Sequence, residues 1–191
     1  MRHVLVSWIG STDFRAVTEE REVGLGPIAN ALDARSFDEV VLVSDFSKSR
    51  VAPFLAWLRR RSAQPVHVDW VSLRNPTHFG DIYEAAVASV TATLERHGGK
   101  ADLTFHLSPG TPAMAAVWII LAKTRFPAEL IESSREHGVK TASVPFDISA
   151  EFLPDLLRKP DERLEQVTAA LPRRLLNSRP SSTAAAPCSG R

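Results

Sequence analysis

A chain of 191 residues with 44% hydrophobic and 24% charged side chains buries one good core, which predicts one domain with short appendages. Its 23 basic residues are nearly balanced by 22 acidic ones, leaving +1, so the chain itself carries no broad footprint for duplex DNA and any anion site is local. The single cysteine, Cys188, excludes a disulfide framework and a cysteine-built zinc site; with no leader pattern and no apolar stretch longer than Met114 to Ala122, a cytoplasmic setting away from membranes is expected.

His3 to Ile9 is a short, β-branched apolar run ending at Gly10, the pattern of a buried strand. A polar loop, Ser11-Thr12-Asp13, leads into apolar positions at mostly helical spacing from Val17 to Leu32, interrupted at Gly24, Gly26 and Pro27, where a break is expected. Glu39 to Ser44 reads as the second strand, and Val51, Phe54, Leu55 and Leu58 place one apolar stripe on the helix after it. Val66 to Leu73 is the third strand. Thr77 is the expected N-cap of a long helix carrying Ile82, Tyr83, Ala86, Val90 and Leu94, closed by Gly98-Gly99.

Leu103 to Leu107 reads as the fourth strand, followed by a largely buried helix from Pro112 to about Arg125. Leu130 to Ser133 and Thr141 to Pro145, joined by a turn at Glu136-His137-Gly138, are expected to pair antiparallel. Strands alternating with helices predict an α/β, Rossmann-like doubly wound sheet in three layers, α/β/α, mostly parallel with an antiparallel C-terminal strand and the order 3-2-1-4-5. Residues 1–147 form the predicted domain, 148–171 a helical connector and 172–191 a disordered tail.

In a doubly wound sheet the ligand crevice opens beyond the carboxyl ends of the two central strands, here the first and fourth. Their loops are Gly10-Ser11-Thr12-Asp13 and Ser108-Pro109-Gly110-Thr111-Pro112. In the second, Gly110 permits a tight turn, Thr111 suits an N-cap and Pro112 the first helical position, so a helix N-terminus with free amides is presented to an anion, with the Ser108 and Thr111 hydroxyls as further donors. An ordinary capped strand-to-helix turn has the same composition. Asp13 has two readings, an acceptor for a ribose hydroxyl and a cap for the first helix.

No G-x-G-x-x-G follows the first strand and no G-x-x-x-x-G-K-[ST] occurs, so neither a dinucleotide cofactor nor a phosphate-hydrolysing P-loop is expected. The six histidines lack paired ligand spacing, which argues against a metal. His106 reads as a core histidine and His78 as a first-turn residue at the crevice rim. Lys48, Arg50 and Arg74 share the carboxyl edge, as phosphate partners or as solvated charges. Trp8 and Trp118 read as core.

The run Leu107-Ser108-Pro109-Gly110-Thr111-Pro112-Ala113-Met114 is similar to the G-T-x-x-M turn of CRISPR-associated Rossmann-fold (CARF) domains, over roughly residues 1–147. The resemblance implies a homodimer that binds cyclic oligoadenylate across a two-fold axis. It carries ligand contact to Gly10, Ser11 and Thr12, and to Ser108, Gly110 and Thr111; Asp13, Pro109 and Met114 complete the expected ligand-binding set. Leu130 to Ser134, Val144 to Ile148 and Pro154 to Leu157 resemble a narrower group, the sensor half of RtcR-type sigma-54-dependent activators linked to RNA repair, in which an ATPase and a DNA-binding domain follow.

From Arg173 onward periodicity gives way to Arg, Ser, Ala and Pro. Back-translated and read from the third base, this tail can spell EAPEFQAIIHRSRPMQR, which resembles the entrance to such an ATPase; a reading-frame slip and an ordinary disordered tail are the two accounts. The expected function is therefore a regulatory sensor of cyclic oligoadenylate or an RNA-derived nucleotide, with no cofactor, no metal and no assigned catalytic residue. The alternative is a metal-independent ring nuclease acting through Ser11, Thr111 and their amides.

Overall fold

A computed structural model describes residues 1–145. The connector at 148–171, the tail at 172–191 and the resemblance beyond Pro145 lie outside the described residues. The elements are β1 (Arg2–Trp8), α1 (Ser11–Val23), α2 (Gly26–Ala34), β2 (Glu39–Ser44), α3 (Lys48–Arg61), β3 (Val66–Trp70), α4 (Phe79–Arg96), β4 (Ala101–His106), α5 (Pro112–Thr124), β5 (Ala128–Ser134) and β6 (Gly138–Thr141).

The sheet order is β3-β2-β1-β4-β5-β6. All pairs are parallel except β5 with β6. This is the doubly wound arrangement expected, with β1 at its centre. Its two faces are separately apolar because successive side chains of a strand point to opposite sides. Val4, Val6 and Trp8 pack with α4 and α5 through Ile82, Val90, Val117 and Trp118. Leu5 and Ile9 pack on the other face with Ile28 and Leu32 of α2 and Phe54 and Leu58 of α3. Val4, Leu5, Val6 and Trp8 are fully buried, and each such side chain stabilises the fold by roughly 1.5–3 kcal/mol.

The expected break in the first helical stretch is present: Gly24 (φ 76°) and Gly26 (φ 78°) separate α1 from α2. Four local expectations are corrected. Ser11, Thr12 and Asp13 are the first turn of α1 and not a loop, since Gly10 itself is the N-cap. Thr77 is not the cap of α4: its amide (2.9 Å) and hydroxyl (2.8 Å) both donate to Asn75 Oδ1, and the His78 ring accepts from the Asp81 amide instead. Strand β3 ends at Trp70. Strand β6 begins at Gly138 (φ 66°), because a turn over Arg135–His137 already returns the chain, putting Ser134 opposite Gly138 and Ile131 opposite Thr141. Among the described residues no helix is long and apolar enough to cross a membrane.

Candidate functional site

The loops after β1 and β4 meet. A Cβ placed on Gly10 would stand 2.9 Å from the Gly110 amide nitrogen, closer than real side chains come to backbone, and 3.4 Å from Pro109 Cα. The N-termini of α1 and α5 therefore start side by side at the carboxyl ends of the two central strands. Gly110 takes φ +90°, a conformation open to glycine, and a Cβ added there would stand 3.3 Å from Trp8 Cβ. Trp8 is fully buried beneath it, which makes it packing and not a stacking platform.

The polar groups divide into those already satisfied and those left over. Among the described residues, the amides of Ser11, Thr12 and Gly110 have no acceptor. These are first-turn and pre-helix N–H groups, the donors that a helix start leaves for capping groups, water or an anion. The side chains of Ser11 and Thr12 are exposed, as is Gly110, while Ser108 and Thr111 are half-buried.

Three other predicted site residues point inward. Asp13 is fully buried: Oδ2 accepts from the Gly10 amide at 2.9 Å and Oδ1 from the Ile28 amide at 3.0 Å. Burial pushes its carboxyl up to about 7, against the Ile28, Gly10 and Asp13 amides, which favour the charge. Of its two sequence readings, the structure realises capping, and for two elements at once: it fastens the Gly10 loop to the start of α2. Met114 is buried and folds back under Gly110, with Sδ accepting from the Thr111 amide at 3.4 Å. Pro109 is also buried.

The Thr111 hydroxyl is fully committed. It accepts from the Met114 amide at 3.3 Å, as an N-cap should, and gives its proton to the Pro76 carbonyl at 2.8 Å. The expectation that it donates to a ligand is corrected accordingly. Ser108 differs: its Oγ accepts from the Ser133 amide at 2.6 Å, which leaves its proton free to donate.

Ser133 escaped the sequence reading, whereas His106 is the buried core histidine it expected. Ser133 Oγ lies 2.6 Å from His106 Nε2 and 3.3 Å from the Pro27 carbonyl. With the proton on Nε2, the ring donates to Oγ and Oγ donates to Pro27, so both contacts are hydrogen bonds. Burial lowers the His106 pKa to about 3, which keeps the ring neutral. Nothing local flags Ser133; the only hint was the Gly26-Pro27 break, whose purpose is to bring α2 against Asp13, with a Gly26 Cβ only 3.1 Å from Oδ1.

The edge cations separate. Arg74 is bound to Asp81 through its amide (3.1 Å), Nε (3.0 Å) and an Nη (2.6 Å), which offsets its charge at the edge. Lys48 lies over Trp70 at 5.7 Å, and Arg50 over Phe46 at 4.6 Å and Phe14 at 5.0 Å. A larger hollow of about 780 Å³ opens at the opposite, amino end of the strands near His3, Asp102 and Arg125, away from both loops.

No family model matches the sequence, and no curated protein does. Solved structures do. Enterococcus italicus Csm6 bound to cyclic hexa-2'-fluoro-hexa-dAMP aligns with TM-score 0.59 at 17% identity, over 91% of this chain and 41% of that one. Protein VC1899 from Vibrio cholerae aligns with TM-score 0.52 at 13% identity, over 73% of this chain and 33% of that one. Can2 from Sulfobacillus thermosulfidooxidans, in complex with cyclic tetra-adenylate, gives 0.49 at 12% identity, over 71% and 33%. The chain thus spans less than half the length of each. The first two likenesses establish the fold, the Rossmann-like α/β architecture implied by the resemblance to CARF domains.

Proposed function

We propose that this chain is a sensor domain that binds a cyclic oligoadenylate, or a nucleotide derived from RNA, where the Gly10 and Gly110 loops touch. The single observation that carries the reading is the convergence of two helix N-termini with unaccepted amides at Ser11, Thr12 and Gly110. The ligands named for Csm6 and Can2 direct the choice among anions. The junction is an open floor, and a second copy of the chain supplies the opposing wall, as the family resemblance implies. In an intact relative of the RtcR type, occupancy would govern the assembly of a following ATPase.

Calorimetric titration with cyclic tetra-adenylate, cyclic hexa-adenylate and a linear oligoadenylate tests this, with sedimentation for the dimer. Micromolar or tighter binding, lost in Gly10→Ala, is the expected result. Binding of none of the three, or binding indifferent to Gly10→Ala, refutes it.

A second reading follows from the exposed Ser11 and Thr12 hydroxyls beside those amides, which could stabilise charge on a reacting phosphate. The ligand's own 2′-hydroxyl would attack the adjacent phosphorus and lose its proton, giving a 2′,3′-cyclic phosphate as the P–O5′ bond breaks and the leaving O5′ takes up a proton. Ligand recovered unchanged after hours with saturating protein excludes cleavage.

A further inference from the structure

Beside Ser108, on the side away from Gly10, the β5–β6 turn closes a hollow of about 190 Å³. Its lining includes Ser108, Ser133, Ser134, His137, Lys140 and Glu132. That volume is below the roughly 300–1,000 Å³ of sites that enclose a whole small ligand, so it fits one chemical group of a larger ligand. We propose that it is a phosphate subsite, continuous through Ser108 with the Gly10–Gly110 junction. This rests on the reading that a nucleotide ligand seats at that junction.

The hydrogen-bond polarity identifies the group. Ser108 Oγ accepts from the Ser133 amide at 2.6 Å, and Ser134 Oγ accepts from the His137 amide at 3.0 Å. A hydroxyl with an acceptor position already filled from the backbone keeps its proton for something else. Two O–H donors are therefore set by main-chain contacts on the wall of one small cavity. Lys140 adds an ammonium that has no carboxylate within ion-pairing distance among the described residues. Two hydroxyl donors and an ammonium outweigh the one carboxylate on the wall and favour an anion, and the size favours phosphate.

Glu132 is the acid on this rim. It stands directly across the β5–β6 ladder from Lys140. In the empty site it tempers the lysine charge, and it opposes an incoming phosphate. The subsite is thus tuned: removing Glu132 strengthens anion binding and removing Lys140 weakens it, an opposition a merely structural hairpin would not produce.

The 191-residue chain is titrated with cyclic hexa-adenylate, cyclic tetra-adenylate and linear oligoadenylates with and without a 3′-phosphate. The same is done with Lys140→Ala, Ser134→Ala and Glu132→Gln, at two salt concentrations. Lys140→Ala is expected to weaken binding about fivefold to tenfold and to reduce the salt slope by about one ion. Ser134→Ala is expected to weaken it about threefold to tenfold, and Glu132→Gln to tighten it about twofold to fivefold. A preference for the 3′-phosphorylated linear ligand that vanishes in Lys140→Ala assigns the subsite to a terminal phosphate; an equal loss on the cyclic ligands assigns it to an internal phosphodiester.

Unchanged affinity and salt slope in Lys140→Ala and Ser134→Ala, with binding still abolished by Gly10→Ala, overturns the subsite and leaves the sensor intact. Inorganic phosphate, followed by the amide resonances of Ser133, Ser134 and His137, is an independent arm that does not need the nucleotide. Saturable shifts lost in Lys140→Ala support the subsite even if no oligoadenylate binds, and their absence in the wild type counts against it.

Discussion

The amide nitrogen of Gly110 occupies the space that a side chain on Gly10 would need, 2.9 Å from the ideal Cβ position. Two loops separated by about a hundred residues are thereby held in backbone contact. Gly10→Ala pushes them apart, because the obstructing atom is main chain and cannot rotate away. The variant is expected to lose roughly 1–3 kcal/mol of stability and at least about tenfold in oligoadenylate affinity. Denaturant unfolding and calorimetry check the two effects separately. At Gly110 the nearer obstruction, Met114 Sδ at 2.6 Å, can swing aside, but φ +90° remains. Gly110→Ala therefore costs about 1–3 kcal/mol as backbone strain.

Thr111→Ala removes both the cap of α5 and the bond to Pro76. A loss of roughly 1–2 kcal/mol is expected, with most of it restored in Thr111→Ser. A denaturation midpoint unaltered in Thr111→Ala would show that the hydroxyl holds neither partner.

Asp13 makes stability fall as pH rises. Its folded value is about 7 against 3.8 unfolded, so between about pH 4 and 7 the folded state holds a proton that the unfolded chain has released. The slope is confined to that window, and below it both states are protonated. Asp13→Asn is expected to remove this contribution to the pH profile while costing roughly 1–3 kcal/mol throughout, since an amide can accept from only one of the two backbone N–H groups. Unfolding curves from pH 4 to 8 decide this.

His106 acts in the opposite sense. With a folded pKa of about 3 against 6.5, it refuses a proton that the unfolded chain accepts, and stability falls as pH drops through that interval. His106→Gln removes the titration and keeps a donor for Ser133. Because the two windows overlap between about pH 4 and 6.5, the wild-type profile there is flatter than either variant's. Each substitution is expected to unmask the slope of the residue that remains.

The sheet was readable because β1 and β2 are nearly continuous apolar runs and the strands alternate with helical stretches along the chain. The helix break was readable because Gly24, Gly26 and Pro27 disrupt one periodic stretch. Both loops were found by that topology, since a winding reversal places the ends of β1 and β4 together. What could not be read were contacts between distant positions. Asp13 reaching Ile28, Thr111 reaching Pro76, and Ser133 lying between His106 and Pro27 depend on side chains meeting in space. Local pattern assigned Thr77 a cap because it did not weigh Asn75, which takes up the same hydroxyl. It also spread first-turn residues into a loop at Ser11, because a glycine N-cap carries no side-chain signature.

Strand β6 runs against the other five, so the polypeptide arrives at Thr141 heading for the amino rim, with the Ala142 amide bonded to the Leu130 carbonyl. Thr141, Ile131, His106 and Ser7 nevertheless stand level across the sheet, so this end of β6 is three residues, about 10 Å at strand spacing, short of the level of Gly10. β5, which carries Ser133 beside Ser108 and is paired with β6 from Ile131 to Ser134, thus ties the hairpin directly to the loop that follows β4.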